Sequence, residues 1–167
     1  MAVVIRPLAA GDRAPLEEVL RSDATFGDDE LAVALELIDD ALADPGSDYW
    51  VRVAELDELV AGYLCFGPTP MTRSTFDLYW LVTGAAHRGR GVARALVEAM
   101  EAELRARGGG GVRVETSDSE GYGAARQLYA RLGYPVAGQL CDFYGPGDDL
   151  VIYYKRIRTG EHRRDST

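Results

Sequence analysis

The chain has 167 residues, 47 % of them apolar, a length and a composition that suit one domain around one buried core. Eighteen basic residues against 27 acidic ones leave a formal charge of −9, a sign that repels phosphate backbones and argues against general nucleic-acid binding. Cys65 and Cys141 do not make a disulfide framework, no apolar run reaches membrane-spanning length, and the opening MAVVIRPLAAGD carries no leader pattern, so the expectation is a cytoplasmic protein without membrane contact.

VVIRPL (Val3 to Leu8) reads as a short first strand, followed by a helical stretch over residues 14–21. A second helix is carried by Leu31, Ala34, Leu35, Ile38, Ala41 and Leu42, which recur on one face. Asp28, Asp29 and Glu30 stand at its start, where the helix dipole favours negative charge, and Pro45–Gly46 end it. Two strand-like runs, YWVRVAEL and ELVAGYLCFG, are joined by a tight turn at Asp57–Glu58 into an antiparallel hairpin. After the turn-rich GPTPMTRS, STFDLYWLVT reads as a strand. A third helix has Val92, Ala95, Leu96, Ala99 and Met100 on one stripe, with favourable pairs Glu101→Arg105 and Glu103→Arg107. The glycines Gly108 to Gly111 stop it. VRVET is a strand, and residues 121–132 form a helix with Ala125, Leu128, Tyr129 and Leu132 on one face. YPVAGQL and DLVIYYKRI are the last strands, around a polar loop CDFYGPGDD. The order β-α-α-β-β-β-α-β-α-β-β is mixed α/β; residues 1–158 are expected to form a single domain and 159–167 a disordered tail.

Between the central strand and the third helix lies HRGRG. No acidic residue occurs from Leu78 to Val97, while Arg88, Arg90 and Arg94 concentrate positive charge there. The first turn of a helix leaves N–H groups unpaired and carries partial positive charge, and Gly89 and Gly91 let a ligand approach the backbone. Such a terminus suits a phosphate group. The same residues also suit a plain strand-to-helix connection with solvated arginines, and the motif alone leaves both readings open. A dinucleotide fingerprint would need glycine where Arg94 stands, and a phosphate-binding Gly-Lys-Ser/Thr loop is absent. No set of metal ligands is read.

The segment LYWLVTGAAHRGRGVARAL resembles the acyl-CoA-binding motif of the GNAT superfamily of N-acetyltransferases, whose Arg/Gln-x-x-Gly-x-Gly/Ala pattern stands here as Arg88-Gly89-Arg90-Gly91-Val92-Ala93. RQLYARLGY (Arg126 to Tyr134) resembles the family's second signature. The resemblance implies a central, twisted, mostly antiparallel sheet flanked by about four helices. It implies acetyl-CoA as co-substrate, its pyrophosphate held by N–H groups from Gly89 to Arg94 with Arg88 and Arg90 assisting, and its pantetheine paired with the backbone of Leu81, Val82 and Thr83. The N–H of Val82 would polarise the acyl carbonyl. Tyr122 stands where the family commonly has an asparagine that touches pantetheine; Ala85 replaces a frequent proline and Thr83 an aliphatic residue.

The resemblance also assigns chemistry. Tyr129 occupies the position of the tyrosine that protonates the departing thiolate, although its periodicity alone describes a core aromatic. Asp77, at the start of the motif strand, is the expected general base; an ordinary strand aspartate fits the same position. Weaker candidates are Glu115 and Thr116 at a strand end, His87, His162 in the tail, and Cys141 beside Asp142. The acceptor would lie between the first two helices and the last hairpin, where Asp23, Asp28, Asp29, Glu30, Asp142, Asp148 and Asp149 favour a cationic amine: a small amine, an amino-acid derivative or a protein lysine. Solubilising surface charge explains the same residues. A non-catalytic acyl-CoA sensor is the competing reading, and an RNA-binding turn is disfavoured by the net charge. Homodimers are common in the family, but the sequence carries no dimer signature.

Overall fold

In the computed structural model, which describes residues 2–159, the elements are β1 (Val4–Pro7), α1 (Arg13–Arg21), α2 (Asp28–Ala43), β2 (Trp50–Leu56), β3 (Leu59–Pro68), β4 (Thr75–Thr83), α3 (Val92–Ala106), β5 (Gly110–Ser117), α4 (Gly123–Arg131), β6 (Val136–Gly145) and β7 (Asp148–Ile157). This is the element order read from the sequence. The strands form one sheet, β1-β2-β3-β4-β5-β7-β6, in which every neighbouring pair is antiparallel except β4 and β5.

The sheet is covered on both faces because its inner strands are apolar on both. Leu16, Leu20, Ala34 and Ile38 of α1 and α2 pack on Val53, Tyr63 and Val82. On the opposite face Leu96, Met100 and Leu104 of α3 pack on Leu64, Phe66 and Val112, with Tyr129 of α4 in the same layer. Two turns show how locally strained pieces are held. The β2–β3 hairpin turns on Asp57 and Glu58, both with positive φ (55° and 65°), the pair of left-handed residues that a type I′ turn requires. In β4, Trp80 pairs with Cys65 and Leu78 with Phe66, so Tyr79 is an extra residue without a partner. Its insertion flips the alternation: Phe76 and Leu78 face the α3 layer, whereas beyond the bulge Leu81 faces that layer and Trp80 and Val82 face α1 and α2.

One expectation needs correction, one strand boundary shifts, and one reading falls outside the described residues. Most of CDFYGPGDD is strand: β6 continues through Gly145, and Pro146–Gly147 alone turn the chain. The Asp149 carboxylate accepts the Asp142 N–H (2.8 Å), the Asp142 carboxylate accepts the Gly147 N–H (2.7 Å), and the Asp149 N–H reaches the Asp118 carboxylate (2.9 Å), so acidic side chains build the hairpin tip. The glycine run does not lie wholly outside regular structure, because Gly110 and Gly111 begin β5, where Ser74 and Tyr154 leave no room for a side chain. The tail reading, with His162, falls outside the described residues apart from residue 159.

Gly62 of β3 lies under the far end of β4. A Cβ there would press into the Val82 carbonyl and stand 3.1 Å from Val92 Cγ1. Overpacking of this kind costs about 1–3 kcal/mol. Gly62→Ala is therefore expected to lower the thermal midpoint by about 2–9 °C in calorimetry.

Candidate active site

Strands β4 and β5 run side by side from Thr75↔Gly111 to Leu78↔Val114 and then part. Beyond that point β4 continues to Thr83 with only β3 beside it, and β5 continues to Ser117 with only β7 beside it. A bulge bends and twists its strand, and Tyr79 sits where the two separate. The gap is a cleft of about 310 Å³. Leu78 to Leu81 form one wall and Val114 to Ser117 the other; Ala125 and Tyr129 of α4 close one side, and Phe26, Glu30, Tyr122, Tyr144 and Asp148 ring the opposite mouth. The edge of β4 that faces the gap offers backbone groups to an added extended chain.

The same strand delivers the glycine-arginine turn. After Thr83 a short turn, Ala85–His87, leads to Gly89 (φ 73°) and Gly91 (φ 82°), and α3 starts at Val92. Ala95 donates to the Gly91 carbonyl at 3.0 Å, which leaves the N–H groups of Val92, Ala93 and Arg94 without intrahelical acceptors. No side chain caps this terminus. A Cβ at Gly89 or Gly91 would meet nothing within 4 Å, so the approach is open. The arginines are not simply solvated. Arg88 pairs with Asp23 (3.0 Å), Arg90 with Asp57 (3.0 Å) and Arg94 with Glu98 (2.7 Å). All three arginine side chains are well exposed, and such pairs exchange readily for a stronger anion. The local sequence is free of acid, but the fold brings Asp23 and Asp57 to it from remote turns; only Glu98, one turn along the helix from Arg94, was visible from spacing.

Tyr129 is 4 % exposed and opens into the cleft. Its ring packs on Tyr134 (5.8 Å between centroids) and Tyr153 (5.5 Å). Burial pushes its phenol above the ordinary range, and the hydroxyl has no hydrogen-bond partner among the described residues. The residue is thus packed in the core and lines the gap as well. Behind it, Tyr134 donates to Glu101 (3.0 Å), which also takes Lys155 (2.7 Å) and Arg105 (3.0 Å). Glu101 is 5 % exposed, and burying a carboxylate so deeply is costly without such partners.

The remaining candidates separate clearly. Leu81, Tyr122, Glu115 and Thr116 line the cleft. Val82 is buried toward α1 and α2, and the Thr83 hydroxyl is buried without a partner. Asp77 does not reach the cleft: it is buried, one oxygen held by Arg113 at 2.6 Å and the other by the Thr69 hydroxyl at 2.8 Å. The bulge that flips the strand after Leu78 lies between Asp77 and the gap. Cys141 is exposed on the edge strand, and the His87 Nδ1 is buried without a partner. Of the seven acidic residues expected to meet the acceptor, Glu30 and Asp148 line the cleft; Asp23 holds Arg88 and the Thr25 N–H, and Asp142 and Asp149 hold the hairpin tip. Sequence reasoning passed over Tyr144, which a strand assigned as loop could not orient.

The Acetyltransferase (GNAT) family model matches residues 14–134. The chain belongs to this family. A GNAT-family protein from Desulfovibrio desulfuricans is 34 % identical and superposes with a TM-score of 0.88 over 93 % of this chain and 99 % of its own. N-acetyltransferase 8B of Rattus norvegicus is 37 % identical over 101 residues, 59 % of this chain; the match spans only 44 % of that relative's length. An aminoglycoside 6′-N-acetyltransferase complexed with coenzyme A shares the fold (TM-score 0.72, 92 % of this chain and 97 % of its own) at 17 % identity.

Burial likewise raises the phenols of Tyr63 and Tyr134. The folded chain keeps these protons above pH ~10, where unfolded tyrosines lose theirs, so the unfolded state is favoured as pH rises past that point. Stability measured by denaturant should show no tyrosine-linked loss from pH 7 to about 9 and should fall above about 10; Tyr129→Phe should make the fall shallower, by up to about 1.4 kcal/mol per pH unit.

Proposed function

We propose that the chain transfers the acetyl group of acetyl-CoA to a primary amine. The observation that carries this reading is one continuous path: an unpaired β4 edge, an uncapped α3 terminus at its end, and the Tyr129 hydroxyl beside it. The residues fit coenzyme A on their own terms. N–H groups at Val92, Ala93 and Arg94, approached past two glycines without side chains, suit a diphosphate. Leu81 to Thr83 offer backbone to a pantetheine arm. Tyr122, which the resemblance sets near pantetheine, lines the cleft at its outer mouth, where its hydroxyl donates to Glu30. Bound there, acetyl-CoA supplies a thioester whose carbonyl carbon the amine attacks.

In the proposed reaction the amine nitrogen forms a bond to the acetyl carbon, the carbon–sulfur bond breaks, and the products are an N-acetylamine and coenzyme A. A lysine-like amine has a pKa near 10.4, so freeing it at neutral pH costs about 4–5 kcal/mol. A carboxylate must take that proton. Asp77 is committed to Arg113 and Thr69, and we assign the role to Glu115, which lies in the cleft wall across from β4. A β4 amide aimed at the carbonyl oxygen is worth about 2.7–4 kcal/mol as the negative charge develops. Tyr129 gives its proton to the sulfur. Burial keeps that proton in place at neutral pH, and the hydroxyl has no competing acceptor.

Calorimetry with coenzyme A and thiol-release kinetics test the proposal together. Tyr129→Phe is expected to bind coenzyme A as tightly as the parent and to turn over about 10²-fold more slowly. Unchanged turnover would remove Tyr129 from the chemistry. Binding without thiol release across amines would favour a sensing role, and absence of binding would sink the proposal.

A further inference from the structure

We infer that the outer half of the cleft holds a second positive charge on the acceptor, and that the substrate is a small aliphatic diamine. The inference rests on the acetyl-transfer reading and adds the substrate class. Three carboxylates line the cleft: Glu30 from the start of α2, Glu115 from β5 and Asp148 from β7. No lysine, arginine or histidine lines it among the described residues. One carboxylate suffices for the reacting amine, which must be neutral to attack. Two remain.

The partners of those two are neutral. Glu30 accepts the Tyr122 hydroxyl on one oxygen and the Gly27 N–H on the other, each at 2.9 Å, and Asp148 accepts the Ser117 hydroxyl. Such donors fix the direction of a carboxylate without cancelling its charge. The nearby cations are committed elsewhere. Arg113 holds Asp77 at 2.6 Å and stands 3.6 Å from Glu115; Arg126 holds the carbonyls of Ser117 and Ser119 at 2.8 Å each. Asp12, Asp23, Asp57 and Glu103, by contrast, all meet arginines.

Shape and polarity agree with a slender dication. Tyr129, 4 % exposed and with a hydroxyl that has no partner among the described residues, marks the inner, reacting end. At the mouth the rings of Phe26, Tyr122 and Tyr144 offer π-faces that attract an ammonium group. Burial first, and then the charges of Glu115, Asp148 and Glu30, raise the Tyr144 phenol; burial and Glu30 raise that of Tyr122, so the negative field converges on the mouth. The cleft of about 310 Å³ is shared with the thioester end of the acyl donor, and the room that remains suits a short flexible chain better than a bulky acceptor.

Three amines of equal length separate the possibilities: diaminobutane, butylamine and aminobutyrate, which end in a cation, a methyl group and an anion. With acetyl-CoA and the full chain, kcat/KM is expected to fall in that order, with at least about 30-fold between the first two. Glu30→Gln and Asp148→Asn should each reduce kcat/KM for diaminobutane at least about tenfold more than for butylamine. Calorimetry on the coenzyme A-loaded protein should show diaminobutane binding that weakens with salt. Equal use of butylamine, preference for aminobutyrate or for a lysine peptide, or no diaminobutane binding to the loaded protein would each overturn the inference and leave acetyl transfer standing. Failure of coenzyme A itself to bind would remove both.

Discussion

A parallel strand pair that ends early governs this molecule. β4 and β5 share only the registers from Thr75↔Gly111 to Leu78↔Val114, and the unpaired Tyr79 bends β4 away at that point. Elsewhere each strand satisfies its backbone against neighbours; here two facing edges are left open inside the sheet. Buried backbone groups without partners are costly, so such a gap persists only where solvent or a ligand reaches it. The bulge also reverses the side-chain alternation, which turns Leu81 toward the layer that contains Tyr129; Asp77, before the bulge, lies where the strands are still paired and stays out of the cleft. One inserted residue therefore decides both where the cleft opens and which side chains see it.

Charge is distributed to match. The protein is strongly acidic, yet the end of the cleft at α3 presents bare N–H groups and three arginines, while at the opposite mouth Glu30 and Asp148 are held by hydroxyl and backbone N–H donors that carry no charge. The arginines are held in exposed ion pairs with Asp23, Asp57 and Glu98, arrangements that keep them near the turn without burying their charge. Asp23 sits in the same α1–α2 connection as Phe26, so the two ends of the cleft are tied through one short stretch of chain.

Much of this was legible from the residues. Helix faces, the Asp57–Glu58 hairpin and the order of elements follow from local periodicity and turn chemistry, and the Arg88–Ala93 pattern named the family that residues 14–134 match. What escaped depends on contacts distant in sequence. Nothing local to Asp77 announces that Arg113, 36 residues away, will take its carboxylate. The acidic loop read as solvent-facing, but Asp118, Asp142 and Asp149 bond to backbone N–H groups and draw Cys141 to Gly145 into β6. Tyr129 is both a core aromatic and a lining residue of the cleft, because a ring on an apolar stripe can still reach a gap.

The order of strands separates two tasks in space. Elements that would grip the acyl donor, β4 and the start of α3, lie at the centre of the sheet and in its core, where Glu101 and its three partners brace them from behind. Those that would choose the acceptor, the first turn of α2 and the β6–β7 tip, are peripheral, and Glu30 and Tyr144 there are exposed. Redesign can therefore reshape the mouth one side chain at a time, swapping preference among nucleophiles while the machinery at the centre stays as it is.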